Sequence, residues 1–329
     1  MTIEAHAEQP SRVRLDAYGS GPGFPVVVDA DAMLSSIDNH CQTRRPSRIA
    51  RMGDSRTTPL FASEHVLNEV YKGFPKFVRG AVTLQDLRAC FEEHYLPNII
   101  WVRVANGYGH DLRVTEVTDL SDVPTAHLAS LIAPCIVFSE DKSLRRPGFA
   151  PAQWRRAAGE TVTVIDSQSG QETIAMGTGL PFVGAFKGSL AIGRRVGLPD
   201  WAALAMLAAF GWWLLGSGDR RRAIGRFLMP FMDEFARLQQ QQRTALLELQ
   251  PVVVEPVTPA PTKQMVATIL ARSREPLLAA EAREELSFRF ASTVSLGDIR
   301  AVLTSEPEFV QSGRSRWQLG QDYVPAAAS

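Results

Sequence analysis

The chain has 329 residues, of which 45% are hydrophobic and 21% are charged, and its 35 basic residues balance its 35 acidic ones. This length is sufficient for two domains with buried cores, and the composition is that of a globular protein, not of a disordered or fibrous one. A net charge of zero excludes recognition of a polyanion through the average field of the protein. Any nucleic-acid contact must therefore come from local basic patches.

Three cysteines, Cys41, Cys90 and Cys135, lie far apart and form no C-x-x-C pair. This pattern favours a reducing compartment over a disulfide framework. Residues 1–23 contain no apolar run, so we expect a mobile tail without a secretory signal and a cytoplasmic protein.

The first predicted element is a run of three valines, Val26 to Val28. Continuous β-branched residues are typical of a parallel strand that is buried on both faces. Asp29 follows directly and should emerge at the carboxyl end of this strand. The sequence thus predicts an acid at one edge of a parallel sheet.

A basic segment over 41–59 follows, in which arginines alternate with Pro, Ser and Gly. A solvated loop would explain this composition, and so would a surface that holds a phosphodiester backbone close to the acid. Arg44 and Arg45 are our candidate nucleic-acid contacts in this segment.

Two helices and a strand come next. Ser63 suits the N-cap of a helix over 63–72, which has an apolar stripe and carries Glu69. Apolar residues recur at helical spacing over 81–97, and residues 99–104 predict another strand.

Residues 119–146 contain two further candidate acids. Asp122 precedes Pro124, which suits the first turn of a helix, so Asp122 should lie close to the N-cap. A short apolar run over 135–138 then predicts a buried strand with Asp141 at its carboxyl end. Open α/β sheets bind their ligands at this edge.

The order of these motifs over residues 24–150 resembles the PIN-domain ribonucleases. The resemblance consists of a first strand ending in Asp29, a helix carrying Glu69, and an acid-x-Pro helix followed by a strand and the pattern S/T-x-D-K-x-L, which contains Asp141. One position departs from the family, because Asp31 stands where Asn is usual.

This resemblance implies an α/β fold with a parallel sheet flanked by helices, and a metal-dependent ribonuclease activity. Asp29, Asp122 and Asp141 would bind Mg²⁺ or Mn²⁺, and Glu69 would bind the metal or orient its water. Carboxylate oxygens are the ligands that these ions prefer, and a bound ion activates water for attack on a phosphodiester. RNA would be the substrate, and an antitoxin or another regulatory protein would be the partner of a toxin-like enzyme. Taken singly, each acid could equally be a helix cap or a surface charge.

The family pattern ends before residues 151–250. Two β-prone runs, 161–166 and 172–176, predict a strand pair that turns at a Ser-Gly dipeptide. Residues 220–250 predict a long amphipathic helix.

The segment 201–215 is uncharged and mostly apolar. It is shorter than the roughly 20 residues that span a membrane. It could be a buried helix, a helix that pairs with a second copy in a homodimer, a helix lying in a membrane surface, or a span. Membrane association through this segment is thus the alternative to a cytoplasmic protein.

The proline tract 251–262 indicates an extended linker between two domains. Residues 263–320 predict three short helices and a hairpin, a pattern that resembles a small winged-helix domain of the α+β class. In such a domain the third helix enters the major groove of DNA, and wing residues, here Arg314 and Arg316, contact phosphate. Acidic and basic residues balance in this region, so the domain could bind a protein instead of DNA.

The leading hypothesis is a metal-dependent ribonuclease, toxin-like, with an appended regulatory winged helix. The alternative is an inactive PIN fold that binds nucleic acid or a partner protein, and Asp31 in the usual Asn position keeps it open. A third hypothesis is a membrane-associated protein anchored through 201–215.

Overall fold

The structure is a computed structural model that describes residues 24–55, 58–105, 110–195, 218–273, 275–290 and 292–322. The chain divides into two compact units. The first comprises Met1–Ile165 together with Leu246–Ser329, and the second comprises Asp166–Ala245. All the candidate site residues belong to the first unit. The expected tail at 1–23 and the apolar segment 201–215 lie outside the described residues.

Four parallel strands form the sheet of the first unit: β1 (Val26–Val28), β2 (Leu60–Ser63), β3 (Ile99–Val102) and β4 (Ile136–Phe138). Apolar and aromatic residues fill these strands, and nearly all are buried, as expected of a parallel sheet that helices cover on both faces. The predicted α/β class with a parallel sheet is confirmed.

The strand order β4-β1-β2-β3 contains a reversal. From β1 the chain builds the sheet in one direction through β2 and β3, and it then returns to place β4 on the other side of β1. Val28 and Phe138, the last residues of β1 and β4, lie side by side in register. The carboxyl ends of these two strands therefore form the switch point, where open α/β sheets bind ligands.

Six helices accompany the sheet. They are α1 (Ala30–Thr43), α2 (Arg48–Ser55), α3 (Glu64–Gly73), α4 (Leu84–His94), α5 (Val123–Ile132) and α6 (Lys142–Arg145). Ser63 precedes α3 at the predicted N-cap position. α4 begins with a capping box, in which Thr83 and Asp86 satisfy each other's backbone N–H.

The basic segment 41–59 is not the solvated loop that its composition suggested. α1 continues through Thr43, Arg44 ends it in a left-handed conformation with φ of 53°, and α2 follows. β2 was not predicted either, because a strand of four residues is too short to show a period in the sequence.

Residues 154–195 differ from the predicted strand pair, since both runs lie within one helix, α7 (Trp154–Arg195). The long helix predicted over 220–250 is present as α8 (Gly218–Leu249). The Ser-Gly dipeptide that suggested a turn has another role. A Cβ atom on Gly170 would come within 2.8 Å of Leu238 Cδ1, so this glycine permits two helices of the second unit to approach closely.

The four alternatives for the apolar segment 201–215 stay predictions, because this segment is outside the described ranges. Within those ranges, no helix combines the length and the apolar character needed to cross a membrane.

The C-terminal segment contains three helices and a small antiparallel sheet, in agreement with the predicted elements. The helices are α9 (Thr262–Arg272), α10 (Ala279–Phe290) and α11 (Leu296–Ser305). The sheet has the order β5-β7-β6, formed by β5 (Leu277–Leu278), β6 (Phe309–Ser312) and β7 (Arg316–Leu319). A last strand, β8 (Gln321–Asp322), leaves this sheet and pairs antiparallel with the outer edge of β3.

The structure also differs from the prediction that 251–262 separates two domains. Val254 within this tract is buried, and its N–H donates to the Cys135 carbonyl at 2.8 Å. α9 packs on α5, where the Thr268 hydroxyl donates to the Ala133 carbonyl at 2.9 Å. One apolar core thus includes residues from both sides of the tract. A high proline content indicates that a segment forms neither helix nor strand. It does not indicate whether the other residues of the segment are buried.

Candidate functional site

Three of the predicted acids lie at the N-termini of helices. Asp29 follows β1 and precedes α1, Asp122 precedes α5, and Asp141 follows β4 and precedes α6. The backbone N–H of Asp29 donates to the Phe138 carbonyl at 3.0 Å, which fixes the start of α1 at the switch point. We call the group of Asp29, Asp31, Glu69, Asp122 and Asp141 the acid edge.

Two hydroxyl groups hold the carboxylate of Asp29, which is 4% exposed. The Thr125 hydroxyl donates to Oδ1 at 3.2 Å, and the Ser139 hydroxyl donates to Oδ2 at 2.8 Å. Ser139 also accepts the backbone N–H of Asp141 at 2.9 Å. One serine therefore connects the acid after β1 with the acid after β4.

A second serine connects Asp141 with Asp122. The Ser143 backbone N–H donates to Asp141 Oδ1 at 2.7 Å, and its hydroxyl donates to Asp122 Oδ2. Sequence reasoning did not single out either serine. Ser139 had a signal, because it is the first residue of the S/T-x-D pattern that identified Asp141.

Asp31, the position at which the sequence departs from the PIN pattern, also belongs to this cluster. Its Oδ2 atom accepts the backbone N–H of Glu140 at 2.7 Å. Burial, together with the charges of Asp29 and Glu140, raises the pKa of Asp31 to about 7. Folding therefore favours the protonated form of Asp31.

The carboxylates of the acid edge repel one another. Burial raises the pKa of Asp122 to about 7, with contributions from the charges of Asp29, Asp141 and Asp119. Burial also raises the pKa of Asp29, and the charge of Asp141 adds to this effect. The site consequently holds fewer negative charges than it has carboxyl groups, and a cation would relieve the repulsion.

Glu69 lies at the rim of the acid edge, on α3, with its side chain 34% exposed. Its carboxylate lies 3.8 Å from the His65 Nε2 atom, one helical turn earlier. Burial raises the pKa of Glu69, and the charges of Asp29 and Asp119 add to this. Among the described residues, no hydrogen bond joins Glu69 to the two serines. Of the three aspartates, the structure therefore relates Glu69 to Asp29 alone, through charge and not through direct contact.

The donor chemistry of the acid edge fits a divalent cation, because carboxylate oxygens are the ligands that Mg²⁺ and Mn²⁺ prefer. The carboxylates are too far apart to form such a site as they stand. In the described part of the chain, no three His, Cys, Asp or Glu side chains are close enough together to hold a metal ion. Hydroxyl groups face both oxygens of Asp29 and one oxygen of Asp122. Metal binding would therefore require these side chains to turn.

Two of the predicted nucleic-acid contacts follow α1. Arg44 and Arg45 are both exposed, and Arg44 lines a cavity beside this helix. Their position leaves their guanidinium groups accessible to a ligand.

The other two predicted contacts belong to the β6–β7 hairpin. Arg314 is exposed at its tip. Arg316 donates to the Pro276 carbonyl at 2.7 Å and lies 3.6 Å from Glu281. Arg316 therefore attaches the hairpin to the segment around β5, which leaves Arg314 as the better candidate for a phosphate contact.

Comparisons of the chain with family models, with curated proteins and with solved structures gave no match. The resemblance to PIN-domain ribonucleases consequently depends on the sequence motifs and their spacing.

Proposed function

We propose that the chain is a metal-dependent ribonuclease of the PIN type, which hydrolyses phosphodiester bonds of RNA at the acid edge. The observation that supports this most is the hydrogen-bonded network of Ser139 and Ser143, which connects Asp29, Asp122 and Asp141 at the switch point. Capping accounts for the bond from the Ser143 N–H to Asp141, which lies within α6. It does not account for the Ser139–Asp29 and Ser143–Asp122 hydroxyl bonds, which join separate segments of the chain.

In this proposal Asp29, Asp122 and Asp141 supply oxygen ligands for Mg²⁺ or Mn²⁺. A bound ion would lower the pKa of a water molecule and neutralise charge on the leaving oxygen. Asp122 must release a proton before it can act as a ligand, since its pKa is raised to about 7. Glu69 at the rim would bind and orient the attacking water.

The substitution Asp29→Asn tests the proposal, because it removes a ligand charge and keeps the shape of the side chain. We expect cleavage of a fluorogenic single-stranded RNA in Mn²⁺ to be lost, while the circular dichroism spectrum stays that of the parent. Asp233→Asn, at an exposed position of α8, is the matched control and should cleave normally. Cleavage by Asp29→Asn at the parental rate would contradict the proposal.

One observation favours the second candidate, a PIN-like fold that binds RNA or a partner protein without cleaving it. No three donors are assembled among the described residues, and the Asp31 carboxylate is already engaged with the Glu140 N–H. This candidate predicts RNA binding without cleavage in Mg²⁺, Mn²⁺ or any other divalent ion.

We further propose that α9 to α11 with the β5-β7-β6 sheet act as a winged-helix-like segment that binds DNA or a regulatory protein, such as an antitoxin. The support is the order of three helices and a hairpin, with Arg314 exposed at the hairpin tip. Loss of DNA binding in Arg314→Gln, with RNA cleavage intact, is the expected result if DNA is the ligand.

A further inference from the structure

A polar trough runs beside α1. It consists of two cavities of about 440 Å³ and about 940 Å³, which share Gln42 and Arg79 in their walls. The smaller cavity lies between α1, α2 and the first turn of α7, and Arg44 lines the larger one. We call the two cavities together the α1 trough.

Positive charge predominates in the smaller cavity, which three arginines and one aspartate line. Arg79 forms an ion pair with Asp38, and Arg155 forms one with Glu140, yet both arginine side chains are 64% exposed. Arg48 donates to a neutral atom, the backbone carbonyl of Arg155, at 2.5 Å. Since a guanidinium has five N–H donors, each arginine keeps donors for a further acceptor.

Glu140 connects the trough with the acid edge through hydrogen bonds. Its backbone N–H donates to Asp31, and its side chain accepts from Arg155 at 2.5 Å and from the Trp154 indole N–H at 3.1 Å. Arg155 also donates to the Ser35 hydroxyl at 2.8 Å, one turn after Asp31 on α1. Glu140 and Arg155 therefore join the wall of the trough to the first turns of α1, where the acid edge lies.

We propose that the α1 trough binds the sugar–phosphate backbone of a single-stranded RNA whose scissile bond lies at the acid edge, an inference that rests on the proposed nuclease function. Arginine and hydroxyl donors placed along a groove hold a nucleic-acid backbone without reading its bases. A single strand fits because Asp29 and Asp122 are 4% and 6% exposed. A phosphodiester held within a rigid duplex does not reach carboxylates that are buried so deeply.

The length of the trough sets the length of RNA that it binds. From Asp31 to Gln42 the axis of α1 advances about 16 Å, at 1.5 Å per residue. A stacked strand advances about 3.4 Å per nucleotide, so about five nucleotides lie beside the helix. Affinity should thus rise with oligonucleotide length up to about five nucleotides and change little beyond it.

Fluorescence anisotropy of a labelled eight-nucleotide RNA, with the full chain in EDTA and a KCl series, tests the proposal without requiring catalysis. Each phosphate contact with a single strand contributes about 0.7 to the slope of log affinity against log salt. Arg48→Gln should lower the slope by about this amount. Arg243→Gln, at an exposed position of α8, is the matched control and should leave the slope unchanged.

Arg48→Lys separates the loss of charge from a loss of structure, because it keeps the charge and should keep the slope. If both Arg48 variants bind like the parent, the trough is not the binding surface. Equal affinity for duplex RNA, or full competition by inorganic phosphate at the concentration of the oligonucleotide, would also overturn the proposal.

The two proposals fail in different ways. RNA cleavage in Mn²⁺ that does not depend on Arg48 contradicts the trough and leaves the nuclease standing. Binding that depends on Arg48, in a protein that cleaves no RNA, contradicts the nuclease and supports the trough as a binding site.

Discussion

The carboxylate of Asp31 accepts the backbone N–H of Glu140 at 2.7 Å, and this bond joins the first turn of α1 to the loop after β4. The bond requires an acceptor oxygen but no negative charge. The charge is unfavourable, since burial together with the charges of Asp29 and Glu140 raises the pKa of Asp31 to about 7.

Asp31→Asn should accordingly stabilise the protein at pH 8 and do so less at pH 5. The folded pKa of about 7 lies above the unfolded one. Folding therefore favours the protonated acid, and its contribution to stability is lost as the pH rises through 7. An amide oxygen keeps the hydrogen bond without this loss. The melting temperature should rise by about 2–4 °C for each kcal/mol gained in the free energy of unfolding. An unchanged or lower melting temperature at pH 8 would contradict the assignment.

Cleavage should accelerate as the pH rises from 6 to 8. Asp122 has a pKa raised to about 7 and must lose its proton before it can bind a cation. Because the cation competes with this proton, a higher Mn²⁺ concentration should move the midpoint of the pH–rate curve to lower pH. Initial rates at two Mn²⁺ concentrations provide the measurement. A midpoint that does not depend on Mn²⁺ would indicate that the titrating group does not bind the metal.

Removal of residues 251–329 should leave an unfolded or insoluble fragment. Without α9, the apolar surface of α5 would face water, and the Ala133 carbonyl would lose its bond from Thr268. Soluble yield and circular dichroism of the fragment are the measurements. In the full chain, Val254→Asp should be strongly destabilising because it buries a charge, whereas Thr258→Asp at an exposed position should not be. A fragment with native circular dichroism would contradict this prediction and would support 251–262 as a linker between two domains.

Gly320→Ala should destabilise the protein more than Gly313→Ala. Both glycines have a φ of 67°, which costs any other residue about 1–2 kcal/mol. At Gly320 a Cβ atom would also lie 2.6 Å from the Trp101 carbonyl oxygen, whereas at Gly313 it would meet nothing within 4 Å. The melting temperatures of the two variants isolate the effect of this contact between the chain before β8 and β3. Equal decreases in melting temperature would show that β8 can shift away from β3 without a further loss of stability.

The elements that sequence reasoning identified correctly are those with a local signal. β1 and β4 are apolar runs with an acid after them, and Ser63 occupies a helix N-cap position. The strand pair over 161–176 was wrong because Val162, Val164 and Ile165 are buried residues of α7, and packing of such residues outweighs their preference for strands.

The candidate site was also predictable only in part, because only some of its features have a local signal in the sequence. The acids follow strands or precede helices, which the sequence reveals. The serines that connect them, and the trough formed by Arg48, Arg79 and Arg155, depend on which segments meet in space. These contacts join residues that are far apart in the sequence, so the spacing of motifs along the chain does not predict them.

The pairing of β8 with β3 has a consequence for synthesis of the protein. β3 ends at Val102, but its antiparallel neighbour begins at Gln321. At 5–20 residues per second, a ribosome needs about 10 to 45 s to translate the intervening stretch. During this time the outer edge of β3 has unpaired backbone groups that a second nascent chain can bind. Slower translation should therefore lower the soluble yield, and chaperones that cover this strand should restore it.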